Sequence, residues 1–403
     1  MATEWPAGLD VADLLRRGWR PAPFRQFVVK LHGRCNLACD YCYMFHSTDQ
    51  GWRSRPAVMS RAVADQICAR IAEHCAAHDL PRVAVVLHGG EPLLAGATMI
   101  GRFAVDLRRA LTMSTAVDLS IQTNGILLDE RMLDVLAEAG CRVGVSLDGD
   151  RGGHDRHRTR TGGQGSYDRV MRGIRLLAGE RYRPLFAGLL CTVDLANDPL
   201  RTYEALLESA PPLIDFLLPH GNWSNPPPGR TPGAPDAPYG SWLAEVFDHW
   251  YSAPRRAGVR LFDETIQLLL GGWTTSEVVG LSPYRTLVIE TDGALEQVDT
   301  LRSAYPDAAA TGYHISSDPL DAALTHPALV ARQIGAEALS AQCQRCPLRN
   351  VCGGGCYPHR YQAGAGFRNP SVYCADLSWL IRHIQARLST DLARLTSRGA
   401  ERA

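Results

Sequence analysis

Cys35-Asn36-Leu37-Ala38-Cys39-Asp40-Tyr41-Cys42-Tyr43 sets three thiols at spacings of four and three residues. Three thiolates so spaced hold three corners of an iron-sulfur cube and leave the fourth iron without a protein ligand, whereas clusters that only pass electrons take four cysteines. An open iron is a coordination position for substrate or cofactor, so the stretch points to chemistry. The same three positions also share one face of a helix, where they would be buried thiols. Arg34, Asn36 and Asp40 interrupt any such face, and the apolar run 27–31 reads as a strand that ends at this loop.

Outward from the motif, strand-like runs occur at 27–31, 83–87, 119–122, 143–147, 186–193 and 214–218, with helical patterns such as 61–78 and 166–177 between them. This alternation predicts six parallel β/α units. The fold class is α/β, a partial (β/α)6 TIM barrel over residues 26–225, after an amino-terminal segment 1–25, with chemistry on the loops at the carboxyl ends of the strands. Asn225-Pro226-Pro227-Pro228-Gly229-Arg230-Thr231-Pro232-Gly233 breaks all periodicity and reads as a linker or exposed loop. Residues 226–278 are expected to form this linker and two bridging helices, near 242–250 and 265–270. A second unit, 279–403, opens with a strand at 286–290 and turns at Asp292-Gly293. It then carries a cysteine array and ends in an amphipathic helix from Leu377 towards Leu395.

Forty-two basic residues balance forty-two acidic ones, so no net field draws nucleic acid or an anionic membrane. The first twenty-five residues contain Pro6, Arg16, Arg17, Arg20 and Pro21 and lack the apolar core of a signal peptide. No run of about twenty apolar residues spans a bilayer. The twelve cysteines therefore read as metal ligands and core thiols in a reducing cytoplasm, not as a disulfide framework. Cys68, Cys75, Cys141 and Cys191 lie in apolar settings and read as small core residues. Lys30 is the only lysine; most of that bias reflects base composition.

With the loop at Cys35, Cys39 and Cys42 stand Gly89-Gly90-Glu91-Pro92 after the second strand, Gln122-Thr123-Asn124-Gly125 after the third and Ser146-Leu147-Asp148-Gly149 after the fourth. Asn-Gly and Asp-Gly alone are favoured turn pairs. The ordered set resembles the radical S-adenosylmethionine (SAM) superfamily. The resemblance implies a 4Fe-4S cluster on the three cysteines and SAM on its open iron. Gly89, Gly90, Glu91 and Pro92 would form the site for the methionyl amino group. Asn124 and Ser146 would line the cofactor, with Ser146 against the ribose, and Arg158 or Arg160 would clamp its carboxylate.

The second array reads Cys343-x2-Cys346-x5-Cys352-x3-Cys356, with Cys374 beyond it. Four thiolates suit structural zinc or a closed cluster, and spacing does not choose between them. The order resembles the SPASM domain of radical peptide maturases, which ordinarily carries two auxiliary clusters. That likeness assigns Cys343, Cys346, Cys352 and Cys374 to one auxiliary 4Fe-4S cluster and Cys356 to an inner one. The pattern also asks for a cysteine before a glycine turn and another five residues after it. Here that fifth residue after Gly293 is Val298, and no cysteine lies between Cys191 and Cys343. One auxiliary cluster and an absent or altered inner site follow. Asp299 falls where sulfatase-maturating relatives carry a proton-accepting acid, and is the expected catalytic residue.

Segments around Gln26 to His32, Trp52 to Pro56, Val86 to Leu94, Asp215 to His220 and Glu290 to Asp299 are similar to the FxsB group of radical SAM/SPASM maturases, which are often longer. That likeness implies an enzyme that crosslinks an aromatic carbon to a side-chain β-carbon in a ribosomal precursor peptide, forming a cyclophane. Thioether formation or sulfatase-type oxidation is the alternative, and a non-catalytic cluster protein the third reading. Implied partners are the precursor peptide, a separate leader-binding protein and an electron donor such as a flavodoxin or ferredoxin. His220 and Trp223, beyond the sixth strand, are candidates for substrate contact or a packed rim.

Overall fold

Phe27, Val29 and Leu31 are fully buried along the first strand, β1 (Gln26–His32). Because side chains alternate across a strand, these three face the helix layer, while Val28, Lys30 and His32 turn to the other face. The computed structural model describes residues 4–111, 115–254 and 257–400. Five further strands repeat the first: β2 (Arg82–Gly89), β3 (Ala116–Thr123), β4 (Arg142–Ser146), β5 (Phe186–Thr192) and β6 (Leu213–Leu217). Each pairs in parallel with the next, as the expected partial barrel requires.

Several of the helices between them start at side-chain caps. Ser60 accepts from the Val63 amide at 3.2 Å ahead of the helix Arg61–Ala77, and Asp129 from Met132 at 2.8 Å ahead of Glu130–Glu138. Asp198 does the same for Pro199–Leu207, with proline at the first helical position. Cys68, Cys75, Cys141 and Cys191 are buried in the apolar core, as expected.

A short strand β7 (Gly258–Val259) extends the sheet beyond β6. On the opposite edge, β8 (Thr286–Ile289) pairs in parallel with β1 from Gln26↔Thr286 to Val29↔Ile289. Two antiparallel strands follow, β9 (Ala294–Glu296) and β10 (Ala310–His314). The result is one ten-stranded sheet, so the boundary read at residue 279 falls within a shared sheet. The proline-rich stretch is anchored rather than exposed throughout. Arg230 is buried with its Nε 3.3 Å from Asp376 Oδ2, and Asp376 Oδ1 accepts from the Tyr239 and Gly240 amides at 2.9 and 3.0 Å. A Cβ on Gly240 would lie 2.6 Å from the Asp376 carbonyl oxygen. The helix Pro238–Ser252 is thereby locked to the last helix, Cys374–Ala400. Among the described residues no helix is long and apolar enough to cross a membrane.

Candidate active site

The carboxyl ends of β2 to β6 surround a cavity of about 450 Å³ whose lining includes Cys35, Cys39, Cys42, Glu91, Ser146 and Arg158. Gly89, Gly90 and Asn124 also line it. A second cavity, of about 580 Å³, shares Cys42, Tyr43, His46, Thr192 and His220 with the first. It opens towards the proline-rich loop at Asn225, Pro226 and Gly229.

All three motif thiols are unbridged. Burial pushes Cys35 up to about 12 and Cys39 to about 11, and raises Cys42 as well. Such thiols stay protonated unless a metal takes the proton's place. Cys35 Sγ accepts from the Leu37 amide at 3.4 Å and from Asn124 Nδ2 at 3.6 Å, the donor pattern that suits a ligating thiolate. The three residues fit an open cluster.

The Gly-Gly turn exists for close approach. A Cβ on Gly89, at φ +146°, would lie 2.2 Å from the His32 carbonyl oxygen, and one on Gly90 2.5 Å from the Arg34 backbone. This brings Glu91 beneath the cluster loop. Its Oε1 accepts from the Leu93 amide (3.0 Å) and the Thr123 hydroxyl (2.7 Å), and its Oε2 from the Asn124 amide (2.8 Å). A carboxylate offers about four acceptor sites, so one is left for a ligand. Burial raises the carboxyl to about 6, against the pull of those donors. Pro92 begins the following turn, buried and not part of the cavity lining. Ser146 Oγ accepts from Gln122 Nε2 at 3.0 Å.

Arg158, not Arg160, reaches the cavity. Its Nε donates to Asp148 Oδ2 at 2.8 Å, and its guanidinium lies 5.5 Å from the centre of the Tyr41 ring. Asp148 also accepts from the Tyr41 hydroxyl and, at 3.0 Å, from the Thr192 amide. Arg160 instead donates to Gln164 at 3.0 Å in an exposed turn.

Asp299 is buried and lines neither cavity. Its Oδ1 lies 2.7 Å from Lys30 Nζ and 3.9 Å from Arg302 Nε. Burial pushes its carboxyl up, but Lys30, Arg302 and His88 outweigh burial and hold it below the usual range. Its charge acts on His88 and Tyr43, which do line the first cavity. His88, which no motif singles out, has an unpartnered Nδ1 and is pushed down to about 4 by burial. Position alone could have flagged it, two residues before Gly90 at a strand end. His220 lines both cavities, whereas Trp223 is packed: its indole donates to the Pro370 carbonyl at 2.7 Å and its amide to Tyr361 at 3.0 Å.

In the carboxyl-terminal array, Cys374 lies near enough to Cys343, Cys346 and Cys352 for their thiolates to repel one another. These four residues fit one closed cluster or zinc site. Cys356 faces Glu277, Arg332 and Arg360 instead. Arg332 pairs with Glu277 and lies over the rings of Tyr284 and Tyr357. With Val298 at the position where the pattern expects a cysteine, and no cysteine between Cys191 and Cys343, Cys356 stands without the further thiols that a second cluster needs, so the inner site does not fit one.

The profile of the Radical SAM superfamily matches residues 29–196. A serine-type anaerobic sulfatase-maturating enzyme of Bacteroides thetaiotaomicron is 26% identical over 253 residues, 59% of this chain and 60% of that protein's length. Another serine-type enzyme, from Klebsiella aerogenes, is 25% identical over 350 residues, covering 85% of this chain and 82% of its own. The solved structure of native anSMEcpe with bound AdoMet and Cp18Cys peptide superposes with a TM-score of 0.77 at 21% identity, over 92% of this chain and 99% of that one. Motif, fold and superfamily profile agree: the chain contains a radical SAM domain over residues 29–196 and is an enzyme of that kind.

Proposed function

We propose that this enzyme oxidises a side chain of a peptide or protein substrate, in the manner of sulfatase maturation. The observation that carries the reading is the pair of adjoining cavities. One is lined by the three thiols, Glu91, Ser146 and Arg158, and the other is a larger space beside it that shares Cys42 and Tyr43. The sulfatase-maturating relatives support oxidation over the crosslink that the FxsB-like segments imply.

In this reading Cys35, Cys39 and Cys42 hold the open 4Fe-4S cluster, and Cys343, Cys346, Cys352 and Cys374 an auxiliary one. When bound, the open cluster and SAM supply a 5′-deoxyadenosyl radical, given an electron from a flavodoxin- or ferredoxin-like donor. Glu91 would accept from the SAM amino group, Arg158 would face its carboxylate, and Asn124 and Ser146 would set the cluster loop and ribose side. The chain's own task is to seat the peptide carbon in the adjoining cavity and to exclude other hydrogen donors. Asp299, paired with Lys30 and lining neither cavity, would receive through the lining residues His88 and Tyr43 the proton that the substrate loses with its second electron, and the auxiliary cluster would take that electron.

The crosslink remains a second reading, favoured by the FxsB-like segment Asp215 to His220, which ends at the wall common to both cavities. A separate leader-binding protein belongs to that reading. The test is anaerobic turnover of reconstituted protein with the Cp18Cys peptide and its serine counterpart. Oxidation yields 5′-deoxyadenosine and an aldehyde captured by a hydrazine probe. Product short of two hydrogens that resists hydrazine would favour the crosslink, and absence of 5′-deoxyadenosine would overturn both.

A further inference from the structure

Lys30 is the one lysine among the forty-two Lys and Arg side chains, and it is buried at the inner wall of the barrel. Lys30 is 1% exposed and stands in register with His88 of the neighbouring strand, so both project to the same face. Its Nζ lies 2.7 Å from Asp299 Oδ1, 3.7 Å from Glu290 Oε1 and 3.5 Å from Met44 Sδ. It therefore joins three parts of the molecule: β1, the acid segment after β9, and the loop two residues beyond Cys42.

The surroundings explain why an ammonium is needed. Four buried carboxylates, Asp49, Glu290, Glu296 and Asp299, face three cations, Lys30, Arg55 and Arg302. Arg302 donates to Asp49 at 3.2 Å, Glu290 at 2.9 Å and Glu296 at 2.6 Å. Arg55 serves Glu290, Glu296 and the outer Asp292. Arg302 spends Nη1 and Nη2 on the other three acids and offers Asp299 only its Nε, at 3.9 Å, so among the described residues Lys30 alone makes a short contact with Asp299. A compact ammonium enters this gap as a point charge, where a planar fork would need more room.

We propose that Lys30 is a positioning residue for the oxidation step: its ammonium fixes the Asp299 carboxylate behind His88 and Tyr43 and compensates its charge in the closed site. The proposal rests on reading Asp299 as the proton acceptor. Without Lys30, Asp299 would face Arg302 at 3.9 Å, a neutral His88, the phenols of Tyr43 and Tyr284, and the carboxylates of Glu290, Glu296 and Asp49. Burial would then protonate it, and a protonated acid takes no proton from substrate. Radical generation, which uses the thiols and Glu91, would continue.

Two measurements test this on the reconstituted holoenzyme. The first compares wild type, Lys30→Met and Asp299→Asn for oxidised Cp18Cys peptide per 5′-deoxyadenosine across pH. Lys30→Met should lower that ratio about tenfold at neutral pH, the equivalent of about one pKa unit, and recover as pH rises; Asp299→Asn should stay low throughout. A merely structural role would not be rescued by base. The second uses lysine labelled with 15N at Nζ, which marks Lys30 alone and needs no peptide. Its signal should be that of an ammonium and should move in Asp299→Asn but not in Asp40→Asn. An unmoved signal overturns the proposal, as does a wild-type ratio for Lys30→Met at every pH while Asp299→Asn is inactive. Normal oxidation by Asp299→Asn instead sinks the reading of Asp299 and, with it, this one.

Discussion

The guanidinium carbon of Arg332 lies 3.4 Å from the centre of the Tyr284 ring, and Cys356 faces this stack. An always-charged side chain, paired with Glu277, fills the place where the sequence pattern would put an inner cluster. Cation–π contact in a desolvated setting contributes about 2 kcal/mol, so the plug is part of the core.

Reconstituted protein should therefore bind about eight irons, four at each of two sites, and Cys356→Ala should not lower that content. Iron analysis with Mössbauer spectroscopy checks both. About twelve irons, with loss of four on Cys356→Ala, would contradict the plugged site. Zinc at the carboxyl-terminal array would remove its electron-accepting role.

Replacing Cys35, Cys39 and Cys42 together by Ala should abolish 5′-deoxyadenosine release and lower iron by about four per chain, while the carboxyl-terminal site keeps its own. Wild-type release by the triple variant would defeat the assignment of the open cluster.

Glu91 gives a pH dependence with a definite sign. Its carboxyl stands at about 6, and only the ionised form accepts from an ammonium without a competing proton. SAM binding should hold above that pH and weaken as pH falls through it. Glu91→Gln should flatten the profile and lose about 1.5–3 kcal/mol of affinity at alkaline pH, the range for a hydrogen bond to a charged group. Calorimetric titration of the reconstituted protein decides; the same slope in both proteins would refute the contact.

Asp148, 2% exposed, is paired with the half-buried Arg158. Arg158→Gln leaves an uncompensated carboxylate and should cost about 3–5 kcal/mol of stability, with SAM affinity falling as well. Arg160→Gln, on the exposed turn, should change neither. Denaturant melts of both variants, with and without SAM, separate the two roles of Arg158.

The barrel was legible because short apolar runs alternate with helical patterns and several of the runs end at Gly-Gly, Asn-Gly and Asp-Gly turns. The cluster loop was legible because three thiols at fixed spacing have few other uses. Choosing Arg158 over Arg160 was not, since both follow Asp148 within a few residues and only the fold turns one inward. Arg332 left no signal, because a residue that fills a lost site need match only the hole, and the hole exists only once residues 277, 284 and 357 are brought together. Asp299 was placed by likeness, yet its burial behind His88 and its pairing with Lys30 depend on β8 joining β1, which no local pattern announces.

That junction also bears on how the molecule could be cut. β8 covers the free edge of β1, whose Phe27, Val29 and Leu31 are fully buried. A chain ended before residue 286 would present a bare hydrophobic edge, the kind that templates intermolecular pairing and aggregation. The carboxyl-terminal unit thus supplies a stave of the sheet, and a fragment ending before residue 286 is expected to aggregate.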